Sequence, residues 1–398
     1  MRTESALLVI ARLLALTVVS AVGGACADPP AELPPPTSVA ELVDQVMTPA
    51  IGADALGDPD RCVGAVVAVV TPEGTLVRGY GATVADGATV PDGDTLFQIG
   101  SISKVFTGLE LARLVVAGDV AIDAPAMSLG ATDLRAATPS ARFTLADLVT
   151  HHAGLPEMPP NLIDRDGDGQ PDPDADPLSP GHDYARADLL AILPELPLGG
   201  AAAYKYSNLG LGLLALMVQD HVGASSFDAV LDGHLKPALG LSATWGNVDA
   251  IPTEARSRLV QGYGLRGGQR LAGYPAEMGV LAGAGEIVTT GADMARFLAA
   301  VTGHTPTDLA AAISVALTPV AASPMADIEL GYAFEVHHEA TAERYTKGGG
   351  TPSFTAYLSF HRAPAVGAFV MTSCTGFQAT RGLAMTIDDR LVAWTTQP

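Results

Sequence analysis

The stretch that decides the fold is FQIGSISK, residues 97–104. Ser101 and Lys104 form an S-x-x-K motif, and the apolar run that follows predicts a helix ending at Gly118. The i, i+3 spacing places Lys104 on the same helix face as Ser101, within reach of its hydroxyl. An N–H at a helix N-terminus can also help to hold an oxyanion. The alternative is an N-capping serine followed by a solvated lysine.

Two further short motifs follow along the chain. Tyr206-Ser207-Asn208 precedes an apolar helix that begins at Leu209, and Lys347-Gly348-Gly349 precedes a strand. The chain has only four lysines, and two of them, Lys104 and Lys347, lie within the three motifs. Their positions therefore favour a functional role over chance. Taken singly, the Tyr206-Ser207-Asn208 motif also fits a buried tyrosine with Asn208 capping a helix. The Lys347-Gly348-Gly349 motif also fits a glycine-rich turn.

Both ends of the chain predict β-hairpins. Val63–Thr71 and Thr75–Gly79 flank a turn at Gly74, and Phe354–Phe360 and Val366–Thr372 flank a second turn. Helical patterns fill the middle. The predicted fold class is therefore α/β (α+β): an antiparallel sheet built from both chain ends, flanked by helices, with a mostly helical subdomain inserted at about 118–290.

In this order, the three motifs resemble those of the serine β-lactamase and penicillin-binding protein superfamily, in the branch of class C β-lactamases, DD-peptidases and related esterases. Residues 143–155 and 330–332 are similar to other segments of this branch. The resemblance spans about 43–392, within a hydrolase domain expected over 43–398. It implies the β-lactamase/DD-peptidase-like fold.

The resemblance implies acyl transfer without a cofactor. Ser101 would form an acyl-enzyme, assisted by Lys104, Tyr206 and Lys347. Two variants stay open: a Tyr206 phenolate as base, favoured by two ammonium groups, or a neutral Lys104 as base with Tyr206 as proton relay.

The resemblance implies that the remaining site residues bind the substrate. The resemblance places the oxyanion against the backbone of Ser101 and of the Gly349–Gly350 pair, and the acyl side of the substrate against Asn208. His151 and His152 are interpreted as loop-packing residues, since neither has an evident orienting partner.

One position departs from the family pattern. Gly348 stands where members that bind a substrate carboxylate often have Thr or Ser. We therefore expect an ester or amide substrate, with a β-lactam or a peptidoglycan peptide, as for a β-lactamase or DD-carboxypeptidase, as the alternative. A catalytically inactive cell-wall or calcium-dependent binding module is the alternative outside enzymes.

The N-terminus predicts export. Residues 1–27 have a ten-residue apolar run, too short to span a membrane, followed by small residues, as in a signal peptide. Cys26 resembles the lipidated cysteine of a bacterial lipoprotein, which would attach the protein to a membrane; plain cleavage after Ala27 is the alternative. A proline-rich tether is expected over 28–42. The expected location is the periplasm or cell envelope.

Charge and cysteines add two expectations. A formal net charge of -21 argues against nucleic acid as a partner, because phosphate binding needs a basic face. Export leaves Cys62 and Cys374, at the ends of two apolar runs that can pair. An oxidising compartment permits a disulfide between them; two buried free thiols are the alternative.

An aspartate-rich insertion is expected at about 157–181. Asp164, Asp166, Asp168 and Asp172 have the spacing of a calcium-binding loop. Ala175 stands where a standard EF-hand has its glutamate, so the spacing is closer to aspartate-rich calcium repeats. A solvated acidic insertion is the alternative.

Overall fold

The two hairpins predicted at the chain ends lie side by side in one sheet. The computed structural model describes residues 35–396 except 59, 139–140, 166, 169, 173–178, 180, 198, 200–201 and 341. Its main sheet has eight antiparallel strands in the order β2-β1-β12-β11-β10-β9-β8-β7. These strands are β1 Gly64–Thr71, β2 Gly74–Gly81, β7 Ala321–Ala322, β8 Ile328–Leu330, β9 Glu335–His338, β10 Glu343–Gly350, β11 Thr355–Arg362 and β12 Ala365–Thr372.

Strand β1 joins the first hairpin to the second. Ala65 lies opposite Thr372, and Val70 lies opposite Gly367. Every residue of β1 is buried, as expected for a central strand covered on both faces. Its side chains alternate between the faces, so Val66 belongs to one apolar cluster and Val67 to the other. The predicted fold, an antiparallel sheet from both chain ends flanked by helices, is confirmed.

Helices cover both faces of the sheet. The first and last helices share one cluster with Val67, through Leu42, Ile387 and Leu391. The helices between them contribute to the other. The helices are α1 Val39–Met47, α2 Ser103–Ala117, α3 Thr132–Ala137, α4 Leu145–Val149, α5 Arg186–Ile192, α6 Asn208–His221, α7 Phe227–Val230, α8 Lys236–Leu239, α9 Gly291–Val301, α10 Ala310–Leu317 and α11 Phe377–Thr395.

The inserted region is less purely helical than predicted. It contains a hairpin of its own, β4 Gly262–Arg266 and β5 Gln269–Gly273. A short ladder also joins β3, Leu96–Gln98, to β6, Val288–Thr290. The glycines and polar residues of 262–273 gave no alternating apolar pattern, so the sequence did not predict this hairpin.

The predicted tether over 28–42 is too long. A compact unit begins at Thr37, and α1 begins at Val39, capped by the Ser38 side chain. Leu42 and Val43 are buried, so the end of the predicted tether belongs to the folded unit. The predicted signal peptide and Cys26 lie outside the described residues. Within the described part of the chain, no helix has both the length and the hydropathy needed to cross a membrane.

The two cysteines at the sheet centre are joined. Cys62 precedes β1 and Cys374 follows β12, and a disulfide links them across a Cα–Cα distance of 5.9 Å. Both residues are buried. The bond ties the start of the first hairpin to the end of the second. Thr375 and Gly376 separate Cys374 from Phe377, the first residue of α11.

Candidate active site

Ser101 lies in a 3₁₀ turn, Gly100–Ile102, directly before α2. The Gln98 side chain holds the preceding strand by donating to the Ala276 carbonyl at 2.6 Å and accepting from the Ala276 N–H at 2.8 Å. Gly100 has a φ of 53°, and a Cβ there would lie 2.7 Å from the Gly350 nitrogen. Glycine is therefore required where the serine turn meets β10.

Lys104 is fully buried, one helical turn after Ser101. Its Nζ lies 2.9 Å from Ser101 Oγ, 2.6 Å from Asn208 Oδ1 and 2.6 Å from the Ala284 carbonyl oxygen. The expected proximity of this amine to the serine hydroxyl is present. The Ala284 carbonyl is a partner that no side-chain motif could indicate.

The loop before α6 brings Tyr206 to the same point. Tyr206 OH lies 2.5 Å from Ser101 Oγ. The neighbouring Ser207 fixes the loop: its Oγ accepts from the Gly210 N–H at 2.8 Å and donates to the Pro156 carbonyl at 2.6 Å. Ser207, rather than Asn208, thus caps α6, which leaves the Asn208 side chain free to contact Lys104.

Lys347 lies inside β10, not before a strand as the sequence predicted. Its glycine-rich continuation still pairs with β11 as far as Gly350 opposite Thr355. The ladder with β9 covers only residues 343–346, so the following residues of β10 present an edge that β9 does not pair with. Lys347 is buried, and its Nζ lies 5.9 Å from the centre of the Tyr206 ring.

The glycines after Lys347 allow β10 to touch the serine turn. A Cβ on Gly349 would lie 2.0 Å from the Ile99 carbonyl oxygen and 3.0 Å from the Ser101 nitrogen. The Gly350 nitrogen adjoins Gly100, as described above. The backbone groups expected to hold an oxyanion therefore lie next to each other, because no side chain separates the two segments.

Burial changes the ionisation of both proton-carrying groups. Burial, and then the charge of Lys347, place the pKa of Lys104 well below its usual value, although Glu157 acts in the opposite direction. Burial raises the pKa of Tyr206, with the Ser101 hydrogen bond opposing the shift. These directions favour a neutral Lys104 and a neutral Tyr206 over the phenolate variant.

Lys347 has a different electrostatic environment. Burial lowers its pKa, while the nearby Glu335 raises it. Burial raises the pKa of Glu335, but contacts with His337, Lys347 and Thr346 outweigh it and leave the pKa below its usual value. Lys347 thus has a carboxylate near its ammonium group.

His151 is a neighbour of Tyr206 that the sequence interpretation assigned only to loop packing. Its ring centre lies 4.4 Å from that of Tyr206, and its Nδ1 accepts from the Ser207 N–H at 3.1 Å. Burial and then the charges of Lys347 and Lys104 place its pKa well below the usual value. His151 therefore packs as a neutral ring that supports the tyrosine loop. His152 lies against Tyr204, with ring centres 5.8 Å apart.

The aspartate-rich loop is separate from these contacts. Asp164, Asp168 and Asp172 each accept a hydrogen bond from a backbone N–H of the same loop, while Asp166 lies outside the described residues. Among the residues with described positions, no group of three or more His, Cys, Asp or Glu is arranged to hold a metal ion. Calcium binding stays a prediction.

Comparison with known proteins identifies the family. The Beta-lactamase family model matches residues 39–390. A class C β-lactamase has a TM-score of 0.72 at 19% identity, covering 90% of this chain and 97% of its own. A β-lactamase/D-alanine carboxypeptidase from Pseudomonas syringae has a TM-score of 0.71 at 19% identity, and the match covers 90% of this chain and 99% of that one. A β-lactamase from Sulfitobacter sp. has a TM-score of 0.71 at 21% identity, and the match covers 91% of this chain and 100% of that one. Curated protein sequences gave no match. The chain belongs to the β-lactamase family.

Proposed function

We propose that this protein is a serine hydrolase that cleaves an ester or amide through an acyl-enzyme on Ser101. The observation that carries the proposal is the position of one hydroxyl between two proton carriers. Ser101 Oγ lies 2.9 Å from Lys104 Nζ and 2.5 Å from Tyr206 OH. A serine hydroxyl needs such a base beside it, because it is a weak nucleophile at neutral pH.

Lys104 would act as the base. A neutral amine has two N–H donors and one lone pair, and two of the three Lys104 contacts, Asn208 Oδ1 and the Ala284 carbonyl, are oxygens that can only accept. If the two N–H groups donate to these oxygens, the lone pair is directed at Ser101 Oγ. The lowered pKa of Lys104 supports this assignment.

The reaction then proceeds in two halves. Lys104 takes the proton of Ser101 while Oγ bonds to the acyl carbon, and the oxyanion lies against the N–H groups of Ser101 and Gly350. Tyr206 gives its proton to the leaving alcohol or amine as its bond to the acyl carbon breaks, and the proton that Lys104 took from Ser101 then passes to Tyr206, so that both groups are neutral again. Water then gives a proton to Lys104 as its oxygen bonds to the acyl carbon, the bond from that carbon to Ser101 Oγ breaks, and the carboxylic acid leaves while Oγ takes a proton back through the same groups.

The second candidate is a β-lactamase or DD-carboxypeptidase acting on β-lactams or peptidoglycan peptides. The neighbours in fold favour it, since one is titled a β-lactamase/D-alanine carboxypeptidase. Gly348 disfavours it, because its position offers no hydroxyl to a substrate carboxylate. An ester or amide substrate without such a carboxylate therefore ranks first.

Covalent labelling tests the reaction class. We expect a fluorophosphonate to modify Ser101, identified by peptide mass spectrometry, and Ser101→Ala to abolish the adduct. Hydrolysis of p-nitrophenyl acetate without nitrocefin turnover supports the ester reading, whereas rapid nitrocefin turnover supports the second candidate. No adduct with either a fluorophosphonate or penicillin would instead support an inactive binding module.

Export is the second part of the proposal. We propose that residues 1–27 direct the protein to the periplasm or cell envelope, with Cys26 as the site of a lipid anchor. Cell fractionation tests the location, and Cys26→Ala tests the anchor by releasing the protein from membranes. Cleavage after Ala27 predicts that this substitution changes nothing.

Calcium in the aspartate-rich loop is a separate proposal with its own test. The spacing of Asp164, Asp166, Asp168 and Asp172 supports it. A bound ion would raise the melting temperature, because a ligand that binds only the folded state stabilises it. An unchanged melting temperature with calcium or with a chelator would leave a solvated acidic loop.

A further inference from the structure

The two faces of β10 differ at the point where it borders the catalytic groups. Successive side chains of a strand point to opposite faces, so Lys347 faces Tyr206 and Gly348 faces the other side. A Cβ on Gly348 would lie 2.3 Å from Phe377 Cζ, 2.4 Å from Phe377 Cε2 and 3.1 Å from Tyr357 Cδ2. The Phe377 ring therefore occupies the space that a residue with a side chain at position 348 would fill.

Phe377 is held in this place by its surroundings. It is the first residue of α11, and its ring meets that of Tyr357 edge-on, with ring centres 5.9 Å apart. It is nevertheless 41% exposed, an unusual exposure for a phenylalanine packed beside an active site. A ring with one side packed and the other open can contact a ligand.

The space beside the ring is open. Gly350 points to the same face of β10 as Gly348, and a Cβ on Gly350 would have no atom within 4 Å. This opening lies along the edge of β10 that β9 does not pair with. The Gly350 backbone adjoins the turn that contains Ser101, so the leaving group of a substrate whose acyl carbon lies at Ser101 can reach the opening.

We propose that Phe377, seated over Gly348, is a specificity-determining residue that binds an apolar, uncharged part of the substrate along β10 and disfavours a carboxylate there. The inference rests on the proposed hydrolase function and names its substrate class, an ester with an apolar group beyond the scissile bond. An apolar group that packs against the ring gains binding free energy, because its surface is removed from water. A carboxylate placed against the ring would lose hydration, and the ring offers it no hydrogen-bond donor in return.

Arg381 is the group that argues against exclusion of a carboxylate. It lies on α11 and interacts with the Tyr357 hydroxyl, so it supplies a positive charge on this side of β10. If Arg381 governs recognition, the enzyme prefers a charged ester. If Phe377 governs it, the enzyme prefers an apolar one.

Two acetate esters distinguish these outcomes. Benzyl acetate and acetylglycolate share the acyl group and differ in the leaving alcohol, which is apolar in one and carries a carboxylate in the other. Their kcat/KM values are compared after division by their hydroxide-catalysed rates. We expect the protein to favour benzyl acetate by about 100-fold.

Variants assign this preference to the ring. Phe377→Ala should reduce the ratio about tenfold through slower turnover of benzyl acetate. Adding Gly348→Ser to Phe377→Ala places a hydroxyl in the vacated space and should reduce the ratio further by raising acetylglycolate turnover. Met325→Ala, which truncates another exposed apolar side chain, is the matched control and should leave the ratio unchanged.

Fluorophosphonate labelling of Ser101 shows in each variant that the catalytic centre is intact. With labelling retained, a wild-type preference for acetylglycolate, or the same ratio in Phe377→Ala and Met325→Ala, overturns the inference and leaves the proposed function standing. A wild-type protein that is not labelled and cleaves neither ester overturns the proposed function, and this inference with it.

Discussion

The two walls of the candidate active site are built differently, although each contains a buried lysine. On the wall formed by α2 and α6, Lys104 contacts Ser101 Oγ, Asn208 Oδ1 and the Ala284 carbonyl, all within 2.9 Å. On the wall formed by β10, Lys347 is followed by three glycines whose backbone borders the serine turn. The first wall fixes one geometry through side-chain hydrogen bonds. The second is shaped by the absence of side chains, and we infer that it is where substrate selectivity is set.

The largest expected effect comes from the hydrogen-bonded wall. Lys104→Met removes the proposed base and should lower kcat/KM for p-nitrophenyl acetate by at least about 10³-fold. Lys236→Met, another of the four lysines, is the matched control and should stay near wild type. Fluorophosphonate labelling of Lys104→Met at the wild-type rate would show that the amine does not activate Ser101.

A pair of glycine substitutions tests the wall of β10. Gly349→Ala places a Cβ 2.0 Å from the Ile99 carbonyl oxygen, so β10 and the serine turn must separate, whereas Gly350→Ala points into open space. We expect Gly349→Ala to slow labelling of Ser101 about 100-fold, because a displaced oxyanion site loses most of its effect. Gly350→Ala should slow it only a few-fold. Equal rates for the two variants would mean that the close approach has no role in the chemistry.

The charge of Lys347 on one wall affects the pKa of Lys104 on the other, and the pH dependence of the reaction rate measures this effect. Rate should rise with pH as Lys104 loses its proton, and the lowered pKa places this rise well below the usual lysine range. The charge of Lys347 contributes to that lowering, so Lys347→Met should move the rise to higher pH and cost about tenfold in kcat/KM at pH 7. Lys347→Arg keeps the charge and should retain most of the wild-type profile. An unchanged pH–rate profile in Lys347→Met would show that the charge of Lys347 does not affect the protonation of Lys104.

The smallest effect on catalysis is expected at the disulfide. Replacing Cys62 and Cys374 together with Ala removes a bond that closes a loop of 312 residues, which should lower the free energy of unfolding by about 2–5 kcal/mol. Both walls should survive at 25 °C, so Ser101 labelling should be retained while the melting temperature falls. Reduction of the wild-type protein should cause a similar fall. Loss of labelling in the folded double variant would show that the bond also positions β10 or α11.

The sequence predicted the hydrogen-bonded wall more accurately than the other. Ser101, Lys104, Tyr206 and Asn208 were predicted because their motifs, in this order, resemble those of a known superfamily, and the structure brings the four side chains together. The Ala284 carbonyl was missed because backbone atoms carry no residue signature. His151 was recognised but assigned to packing alone, since its partner, the Ser207 N–H, is again a backbone group.

The wall of β10 shows what short-range patterns miss. The sequence placed Lys347 and its glycines before a strand, with a glycine-rich turn as the alternative, yet pairing with β11 keeps them inside a strand. Phe377 had no local signal at all, because its position over Gly348 depends on how α11 packs against the sheet. The same limitation made the predicted tether too long, since Leu42 and Val43 are buried only by contacts with distant parts of the chain.

The pairing of β1 with β12 constrains when the sheet can form during synthesis of the chain. A nascent chain that does not yet include Ala365–Thr372 lacks β12, the strand that pairs with β1. One edge of the first hairpin is therefore unpaired at that stage. Early completion of the sheet on the ribosome is therefore ruled out by topology. The β12 side of the first hairpin stays unpaired until about the last tenth of the chain has been made.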